Sequence, residues 1–278
     1  MNISEDLKKE KFRFKKQFGQ NFISDDHLLA KIVEAAEITP EDVVIEIGPG
    51  AATLTAALAE KAAQVIAIEI DKDLFPIIER RMAGYSNFEL VAGDAMKVDF
   101  DALTAKYGAK RYKVVANLPY YITTPIVMRF LEEGFRVSEL VIMVQQEVAD
   151  RFLANPGTKA YGAITAAINY YGSVSRAFNV PRTMFTPRPE VDSSIVKIKC
   201  YENKPFEADD EKLLRRVIKA AFGQRRKTLN NALKALNLPK DELDKALQSA
   251  GIDAARRGET LSVEEFVRLS NAISKISK

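Results

Sequence analysis

The residues Val43-Val44-Ile45-Glu46-Ile47-Gly48-Pro49-Gly50 decide the fold. The apolar run up to Ile47 predicts a buried strand, and a helical pattern at Leu54–Glu60 follows it. Gly48 and Gly50 have no side chain, so the backbone between strand and helix can turn tightly and approach a ligand closely. Strand, glycine turn and helix in this order are typical of nucleotide-binding α/β folds, although a Gly-X-Gly turn alone is often no more than a turn.

The alternation of strand and helix continues along the chain. Further strands are predicted at Val65–Ile70, Phe88–Ala92, Val114–Ala116 and Leu140–Val144. Helices are predicted to begin after Ser24 and to lie at Leu74–Met82, Pro125–Leu131, Glu147–Ala154 and Ala163–Tyr170. This alternation predicts a doubly wound, parallel sheet. Val174–Val180 and Ser194–Cys200 follow one another without a clear helix between them, which predicts an antiparallel edge on that sheet.

The composition changes at both ends of this α/β region. Residues 1–20 are polar and basic with little apolar periodicity, so we expect a mobile basic arm. The polar stretch Glu202–Asp210 predicts a linker, after which only helical patterns remain, the last of them opening with a capping box from Ser262 to Glu265. We therefore predict an α/β domain over residues 21–203 and a small all-α domain over residues 204–278.

The rarest residue types exclude several classes of protein. The chain of 278 residues has one cysteine, Cys200, and one histidine, His27. These counts exclude a disulfide framework, a zinc cluster and any Ser-His-Asp triad that needs a second histidine. The charged N-terminus and the lack of long apolar runs argue against a secretion signal and a membrane span, so we expect a cytoplasmic protein.

Basic residues are concentrated in two segments, although the formal net charge is only +3. One group lies within residues 8–16, and the other comprises Lys212, Arg215, Arg216, Lys219, Arg225, Arg226 and Lys227. Local basic patches on a nearly neutral chain are typical of proteins that touch a polyanion with part of their surface. A solvated tail and a solvated helix face would have the same pattern, so charge alone leaves both interpretations open.

Carboxylates end two further strands of the predicted sheet. Glu69 lies where a carboxylate can accept hydrogen bonds from both ribose hydroxyls of a nucleoside. Asp94 ends the next strand, where it can accept the amino group of an adenine or simply cap a turn. Thr53 occupies the place of the third glycine of a dinucleotide fingerprint, and Glu46 repels a phosphate but tolerates a sulfonium cation. Together these features favour S-adenosylmethionine over NAD.

The tetrapeptide Asn117-Leu118-Pro119-Tyr120 ends the fourth predicted strand. The N6 amine of adenine is a poor nucleophile because its lone pair is delocalised into the ring. The side-chain oxygen of Asn117 and the carbonyl of Leu118, which Pro119 restricts, can accept the amine hydrogens and direct the lone pair towards a methyl group. Tyr120 offers a ring on which an extruded base can stack. An isolated match would more often be an Asn-Pro-type turn.

Five ordered motifs make the chain similar to the KsgA-type family, the small-subunit ribosomal RNA adenine N6,N6-dimethyltransferases. They are residues 17–22 (QFGQNF), Glu46–Gly50, Asn117–Tyr120, Phe185–Ser193 (FTPRPEVDS) and Phe222–Leu229 (FGQRRKTL). The resemblance covers nearly the whole chain. It implies a Rossmann-like class I methyltransferase fold, with a seven-stranded, mostly parallel sheet that has one antiparallel edge strand, and a small C-terminal all-α domain. Many relatives have a glycine at position 51 or 52, where this chain has alanines.

The resemblance also implies a function. Methyl groups from S-adenosylmethionine are expected to pass to N6 of two adjacent adenosines in a hairpin near the 3′ end of 16S ribosomal RNA. The implied partner is the immature small ribosomal subunit, and we expect a monomer without a metal ion. The implied cofactor contacts are Asn21, Ile23, Gly48, Gly50, Glu69, Asp94 and Asn117. The implied catalytic set is Asn117, Leu118, Pro119, Tyr120 and Phe185. The expected RNA contacts are Arg215, Lys219, Arg225, Arg226 and Lys227.

Several alternatives remain open. A large-subunit ribosomal RNA dimethyltransferase of the macrolide-resistance type shares the first four motifs, although the basic run Arg225–Leu229 favours the small-subunit enzyme. A ribosome-assembly or transcription factor could keep the fold without catalysis, although the intact Asn117–Tyr120 motif argues against lost chemistry. Phe185, which the family places against the target base opposite Tyr120, could be an ordinary core residue. Asn21 could simply help to cap the first helix.

Overall fold

The computed structural model describes residues 21–276. The predicted basic arm and the first part of the QFGQNF motif lie outside these residues. Contacts divide the chain into two compact units. The first comprises the residues up to Ala149 together with Val174–Cys200, and the second comprises Asp150–Ser173 together with the residues from Tyr201 onwards.

The strands and helices follow the predicted alternation. The strands are β1 Phe22–Ile23, β2 Val43–Ile47, β3 Gln64–Glu69, β4 Phe88–Ala92, β5 Tyr112–Asn117, β6 Val137–Gln145, β7 Gly172–Val180, β8 Phe185–Thr186 and β9 Ser193–Cys200. The helices are α1 Asp26–Ala35, α2 Thr53–Ala59, α3 Phe75–Met82, α4 Phe100–Ala105, α5 Thr123–Glu132, α6 Gln146–Phe152, α7 Ala163–Tyr171, α8 Glu211–Gly223, α9 Leu229–Ala232, α10 Lys240–Ser249 and α11 Val263–Ile276.

Seven strands form the main sheet in the order β4-β3-β2-β5-β6-β9-β7. β2 pairs in parallel with β3 and β5, β3 pairs in parallel with β4, and β5 pairs in parallel with β6. β9 runs antiparallel to β6 and lies between it and β7, the strand at the edge. The structure therefore confirms the predicted fold class, a Rossmann-like, mostly parallel sheet with antiparallel pairing towards one edge.

The central strands are buried on both faces, which explains why their sequences are continuous apolar runs. Val44 and Ile45 of β2, Ile66 of β3 and Val114 of β5 are fully buried. Because β2, β3, β4 and β5 are parallel, their carboxyl ends meet at one edge of the sheet. The residues that follow these strands are thereby brought close together in space.

β1 and β8 form a separate antiparallel pair that the sequence patterns did not predict. Phe22 lies opposite Thr186, and Ile23 lies opposite Phe185. The hydroxyl of Thr53, at the start of α2, donates a hydrogen bond to the carbonyl of Ile23 at 2.9 Å. The segment Phe22–Ile23 before α1 is therefore bound both to β8 and to the start of α2.

The second unit is built from α7 to α11 and the loops between them. The predicted capping box is present: the Ser262 amide donates to Glu265 Oε2 at 2.8 Å, and the Glu265 amide donates to Ser262 Oγ at 3.2 Å. No helix of residues 21–276 is long and apolar enough to cross a membrane.

The second unit also includes Asp150–Ser173, which the sequence patterns grouped with the α/β domain. Long-range hydrogen bonds explain this grouping. The Tyr161 hydroxyl donates to the carbonyl of Leu261 at 3.0 Å. The hydroxyls of Tyr170 and Tyr171 donate to the two carboxylate oxygens of Glu211 at 3.1 and 3.2 Å. Helical periodicity does not report such contacts. The sequence therefore predicted a linker at Glu202–Asp210 but did not indicate that Asp150–Ser173 belongs to the second unit.

Candidate cofactor and catalytic site

A cavity of about 350 Å³ lies at the carboxyl ends of β2, β3, β4 and β5. Its volume and its mainly apolar walls are typical of small-molecule sites. It is lined by residues from five segments of the first unit, within residues 21–23, 46–54, 68–74, 93–96 and 117–122. All the residues predicted to touch the cofactor line this one cavity: Asn21, Ile23, Gly48, Gly50, Glu69, Asp94 and Asn117.

The loop after β2 has the left-handed backbone that glycine favours. Gly48 and Gly50 have φ angles of +67° and +59°, and the Gly48 amide donates to the carbonyl of Ile68 at 2.9 Å. A Cβ atom on Gly50 would lie 2.7 Å from the ring of Phe22, so this position requires glycine for space as well as for conformation. Ala52 has a φ of +58°, so an alanine takes the conformation for which a glycine would be expected.

Glu69 and Asp94 present carboxylates at one end of the cavity. Glu69 is 6% exposed, and its Oε1 accepts hydrogen bonds from the amides of Ile70 and Asp71 at 2.9 and 2.8 Å. Burial raises the pKa of Glu69, and the surrounding amide donors act in the opposite direction. Asp94 Oδ1 accepts from the amide of Met96 at 2.9 Å. Each carboxyl group is thus oriented by the backbone just after its strand.

Glu46 contributes an unsatisfied acceptor to the same cavity. It is 1% exposed, and its Oε2 has no hydrogen-bond partner among the described residues. Burial raises the pKa of Glu46 to about 8, the side chain of Thr55 lowers it in part, and the nearby charge of Glu69 raises it further. A buried carboxylate oxygen without a partner is unfavourable, so a cationic ligand in this cavity would meet a group that it can stabilise. The cavity therefore fits the sulfonium of S-adenosylmethionine.

The motif Asn117–Tyr120 forms the turn between β5 and α5. The Asn117 side-chain nitrogen donates to the carbonyl of Asn21 at 2.8 Å, which leaves the side-chain oxygen as the branch that can accept from a substrate amine. The Pro119 carbonyl accepts from the Ile122 amide and the Thr123 hydroxyl, at 3.1 and 3.2 Å. These bonds fix the turn to the first residues of α5.

Asn21 makes this contact through its backbone carbonyl. The N-cap of α1 is Asp25, whose Oδ1 accepts from the amide of Leu28 at 2.7 Å. The helix thus begins after Ser24, as expected. Asp25, and not Asn21, is therefore the N-cap of α1, while the Asn21 carbonyl accepts the hydrogen bond from the Asn117 side chain.

The aromatic residues of the predicted catalytic set have different environments. Tyr120 lines the cavity, and its hydroxyl lies 2.8 Å from the Oγ of Ser193 in β9. Phe185 is 4% exposed, belongs to the hydrophobic core and does not line the cavity. Phe185 is thus a core residue, which was the alternative considered in the sequence analysis. Its contact with a target base stays a prediction.

The residues predicted to bind RNA divide into two groups within the second unit. Arg225 donates to Oε2 of Glu259 at 3.2 and 3.1 Å and to the carbonyl of Lys159 at 2.7 Å. Arg215 is half-buried and donates to the Tyr171 hydroxyl at 3.1 Å. The others, Lys219, Arg226 and Lys227, are exposed. Arg215 and Arg225 therefore support the fold of this unit, whatever else they contact.

Sequence reasoning missed several residues that line the cavity, in particular Ile70, Met96 and Tyr121. Two of them directly follow a predicted site residue, since Ile70 comes after Glu69 and Tyr121 comes after Tyr120. Adjacency to a motif was the only available signal. Within residues 21–276 no group of three or more His, Cys, Asp or Glu side chains is arranged to hold a metal ion.

Comparison with known proteins gives consistent matches over most of the chain. A family model described as ribosomal RNA adenine dimethylase matches residues 11–275. The ribosomal RNA small subunit methyltransferase A of Moorella thermoacetica is 52% identical over 265 residues, which are 93% of this chain and 92% of that protein.

Solved structures agree with the family match. A dimethyladenosine transferase from Plasmodium falciparum has a TM-score of 0.80 at 28% identity, and the alignment covers 92% of this chain and 98% of that one. The 23S rRNA methyltransferase ErmE has a TM-score of 0.69 at 26% identity, with 91% of this chain and 100% of that one covered. The chain therefore belongs to the ribosomal RNA adenine dimethylase family, which implies S-adenosylmethionine as the methyl donor.

Proposed function

We propose that this protein dimethylates N6 of two adjacent adenosines in a hairpin near the 3′ end of 16S ribosomal RNA, within the immature small ribosomal subunit. The observation that carries the proposal is the position of Asn117 in the cavity, with its amide oriented by Asn21. A relative that is 52% identical is a small subunit methyltransferase, which supports the choice of subunit. We expect the protein to act in the cytoplasm, because its proposed substrate is a ribosomal subunit. We also expect it to be a monomer.

We assign the cofactor contacts from the chemistry of the cavity walls. Glu69 would accept the ribose hydroxyls, and Asp94 would accept the adenine amine. The backbone of Gly48 and Gly50 can approach the ligand closely because no side chain intervenes. Glu46 would face the positive charge of the ligand. The bound cofactor supplies an electrophilic methyl group on a sulfonium.

The protein contributes positioning and electrostatics to the reaction. The Asn117 side-chain oxygen and the Leu118 carbonyl would accept the two hydrogens of N6 and hold its lone pair towards the methyl group. Tyr120 would stack on the extruded adenine, and its bond to Ser193 keeps the ring in place. No strong base is required, because a methylated N6 is cationic and loses its proton to water.

Replacing Asn117 with alanine tests this mechanism. We expect methyl transfer to immature small subunits to fall by roughly 10²- to 10³-fold, the typical effect of removing one preorganised polar contact. Incorporation of radiolabelled methyl groups measures the rate. Affinity for S-adenosylhomocysteine, measured by calorimetry, checks that the cavity is intact. A near-normal rate in a variant that still binds this product would contradict the proposal.

A large-subunit activity is the second candidate, since the fold of ErmE is also similar. Immature small subunits and protein-free large-subunit RNA, offered to the same enzyme preparation, separate the two. Mass spectrometry of the adenosines in each RNA identifies the product and its position. Modification of the large-subunit RNA alone would favour the second candidate.

The exposed basic residues Arg226 and Lys227 are proposed to bind the RNA backbone. The double variant Arg226→Gln/Lys227→Gln should weaken subunit binding and reduce the slope of its salt dependence by about one unit for each lost contact. The matched control is Lys234→Gln/Lys240→Gln, which removes two exposed charges from the same unit. Equal slopes for the two variants would mean that Arg226 and Lys227 only solvate the surface.

A further inference from the structure

Tyr120 and Tyr121 are neighbours in sequence, but they interact with different groups. Tyr120 is half-buried, with its hydroxyl 2.8 Å from Ser193. The Tyr121 side chain is 58% exposed although it lines the cavity. Burial, followed by the charges of Asp94 and Glu69, raises the pKa of the Tyr121 hydroxyl. Tyr121 therefore lines the same cavity as Glu69 and Asp94 but stays exposed, whereas Tyr120 is anchored to β9.

Tyr121 is part of an exposed apolar cluster at this cavity. Five large apolar side chains are strongly exposed in the described part of the chain: Ile70, Met96, Tyr107, Tyr121 and Val191. Three of them, Ile70, Met96 and Tyr121, line the same cavity. Exposed apolar side chains that converge on one place mark a surface that a ligand covers. A planar nucleobase is the ligand group that suits an aromatic ring and two aliphatic side chains beside carboxylates.

We propose that Tyr121 positions the cofactor. The Tyr121 ring covers the adenosyl group of S-adenosylmethionine at the opening of the cavity, and it thereby controls the exchange of spent for fresh cofactor. This inference rests on the proposed function. Each transfer converts one S-adenosylmethionine to S-adenosylhomocysteine. Two methyl groups on each of two adenosines therefore require the spent cofactor to leave and fresh cofactor to enter between transfers.

The ring, and not the hydroxyl, makes the proposed contact. A phenolate beside Asp94 and Glu69 is disfavoured, so the hydroxyl contributes no charge to the ligand. Stacking on a base needs only the aromatic face. Tyr121→Phe should consequently behave like the unchanged protein, and Tyr121→Ala should not.

The test measures binding and release of S-adenosylhomocysteine by the full chain, without RNA. In Tyr121→Ala we expect the dissociation constant to rise by on the order of ten-fold through faster release, an effect typical of one lost aromatic stack on a base. Tyr121→Phe should stay within about two-fold of the unchanged protein. The control is Tyr107→Ala, which removes another exposed tyrosine that does not line the cavity.

Steady-state kinetics give a second readout. In Tyr121→Ala the KM for S-adenosylmethionine should rise, while the KM for the small subunit stays constant and kcat does not fall. A raised KM for the subunit with unchanged cofactor affinity would overturn the inference, since Tyr121 would then contact the RNA. Equal release rates in Tyr121→Ala and Tyr107→Ala would overturn it as well. If the unchanged protein bound no cofactor, the proposed function itself would fail, which is a distinct result.

Discussion

Glu46 shows how a single buried side chain connects the fold with the ligand. It lies at the end of a central strand, one residue before Ile47, where the sheet excludes water. The sequence indicated that an acidic residue there tolerates a sulfonium. It did not indicate that the carboxyl group is held largely protonated at neutral pH, because that depends on burial, which only the packed structure reveals.

Binding of S-adenosylmethionine should therefore depend on pH. The Glu46 pKa in the free protein is about 8, and a bound cation should lower it because it favours the ionised form. Ligand binding then releases a proton at neutral pH, and affinity increases as pH rises towards about 8 and levels off above it. Calorimetry in buffers of different ionisation enthalpy measures the released proton.

Glu46→Gln is the control for this pH dependence. The amide has the same shape but does not titrate, so the affinity of this variant should depend less steeply on pH over the same range. S-adenosylhomocysteine lacks the sulfonium charge and should show a weaker pH dependence than S-adenosylmethionine. An equally steep dependence in Glu46→Gln would assign the proton to another group.

The backbone conformation of the turn before α2 could not be predicted from its residues. The family resemblance predicts a glycine here, and this chain has Ala51 and Ala52. The structure keeps the left-handed conformation at Ala52, the N-cap of α2, with an alanine in place of glycine. The surrounding loop fixes the backbone even though the residue does not favour it.

Paired glycine substitutions test whether this conformation is strained. Both alanines are at most 1% exposed, so each change to glycine removes a buried methyl group and adds freedom to the unfolded chain. Ala51→Gly should lower the free energy of unfolding by about 1–2 kcal/mol. Ala52→Gly should change it by less than about 1 kcal/mol, because relief of the left-handed strain offsets the loss. Urea denaturation measures both values, and equal losses would show that Ala52 is not strained.

The central strands of the sheet were predictable from their composition. Strand β2 has the predicted bounds, because a buried parallel strand is a continuous apolar run. Strand β4, which lies at the edge of the sheet and is only partly buried, also has the predicted bounds. Helix α4, with six residues, was missed, since its main signal is the cap in which Asp99 accepts from the Ala102 amide at 3.0 Å. The pairing of β1 with β8 was missed because two-residue strands have no periodicity.

Across the whole molecule, the sequence predicted which residues gather at one cavity better than how the chain divides into units. Motif residues from β2 to β5 line one cavity because parallel topology brings the ends of these strands together. The assignment of Asp150–Ser173 to the second unit depends instead on individual hydrogen bonds, such as that between Tyr161 and Leu261. Such contacts between distant residues follow from the fold and not from local patterns.

In the second unit, the backbone at Gly258 packs closely against the backbone of α8. A Cβ atom there would lie 2.4 Å from the Ala221 carbonyl oxygen in α8. Gly258→Ala should therefore force the two backbones apart and destabilise the protein by on the order of 2–3 kcal/mol. Gly223→Ala is the control, since a Cβ atom there meets nothing within 4 Å. Thermal unfolding compares the variants, and similar Tm values would contradict the packing described.

The segment Asn21–Ile23 has a consequence for the order of events in the reaction. Its Asn21 carbonyl orients Asn117, its Ile23 carbonyl binds Thr53, and its backbone pairs with the strand that carries Phe185. The segment Asn21–Ile23 thus lines the cavity proposed for the methyl donor. It also pairs with the strand that contains Phe185, which is predicted to contact the target base. If the segment couples the two ligands, thermodynamic reciprocity requires the cofactor to change the affinity for the subunit by the same factor as the subunit changes the affinity for the cofactor. Methyl transfer converts the cationic sulfonium into a neutral thioether, so a subunit should bind with different affinity to enzyme with fresh and with spent cofactor, and this difference would time the release of a methylated ribosomal particle.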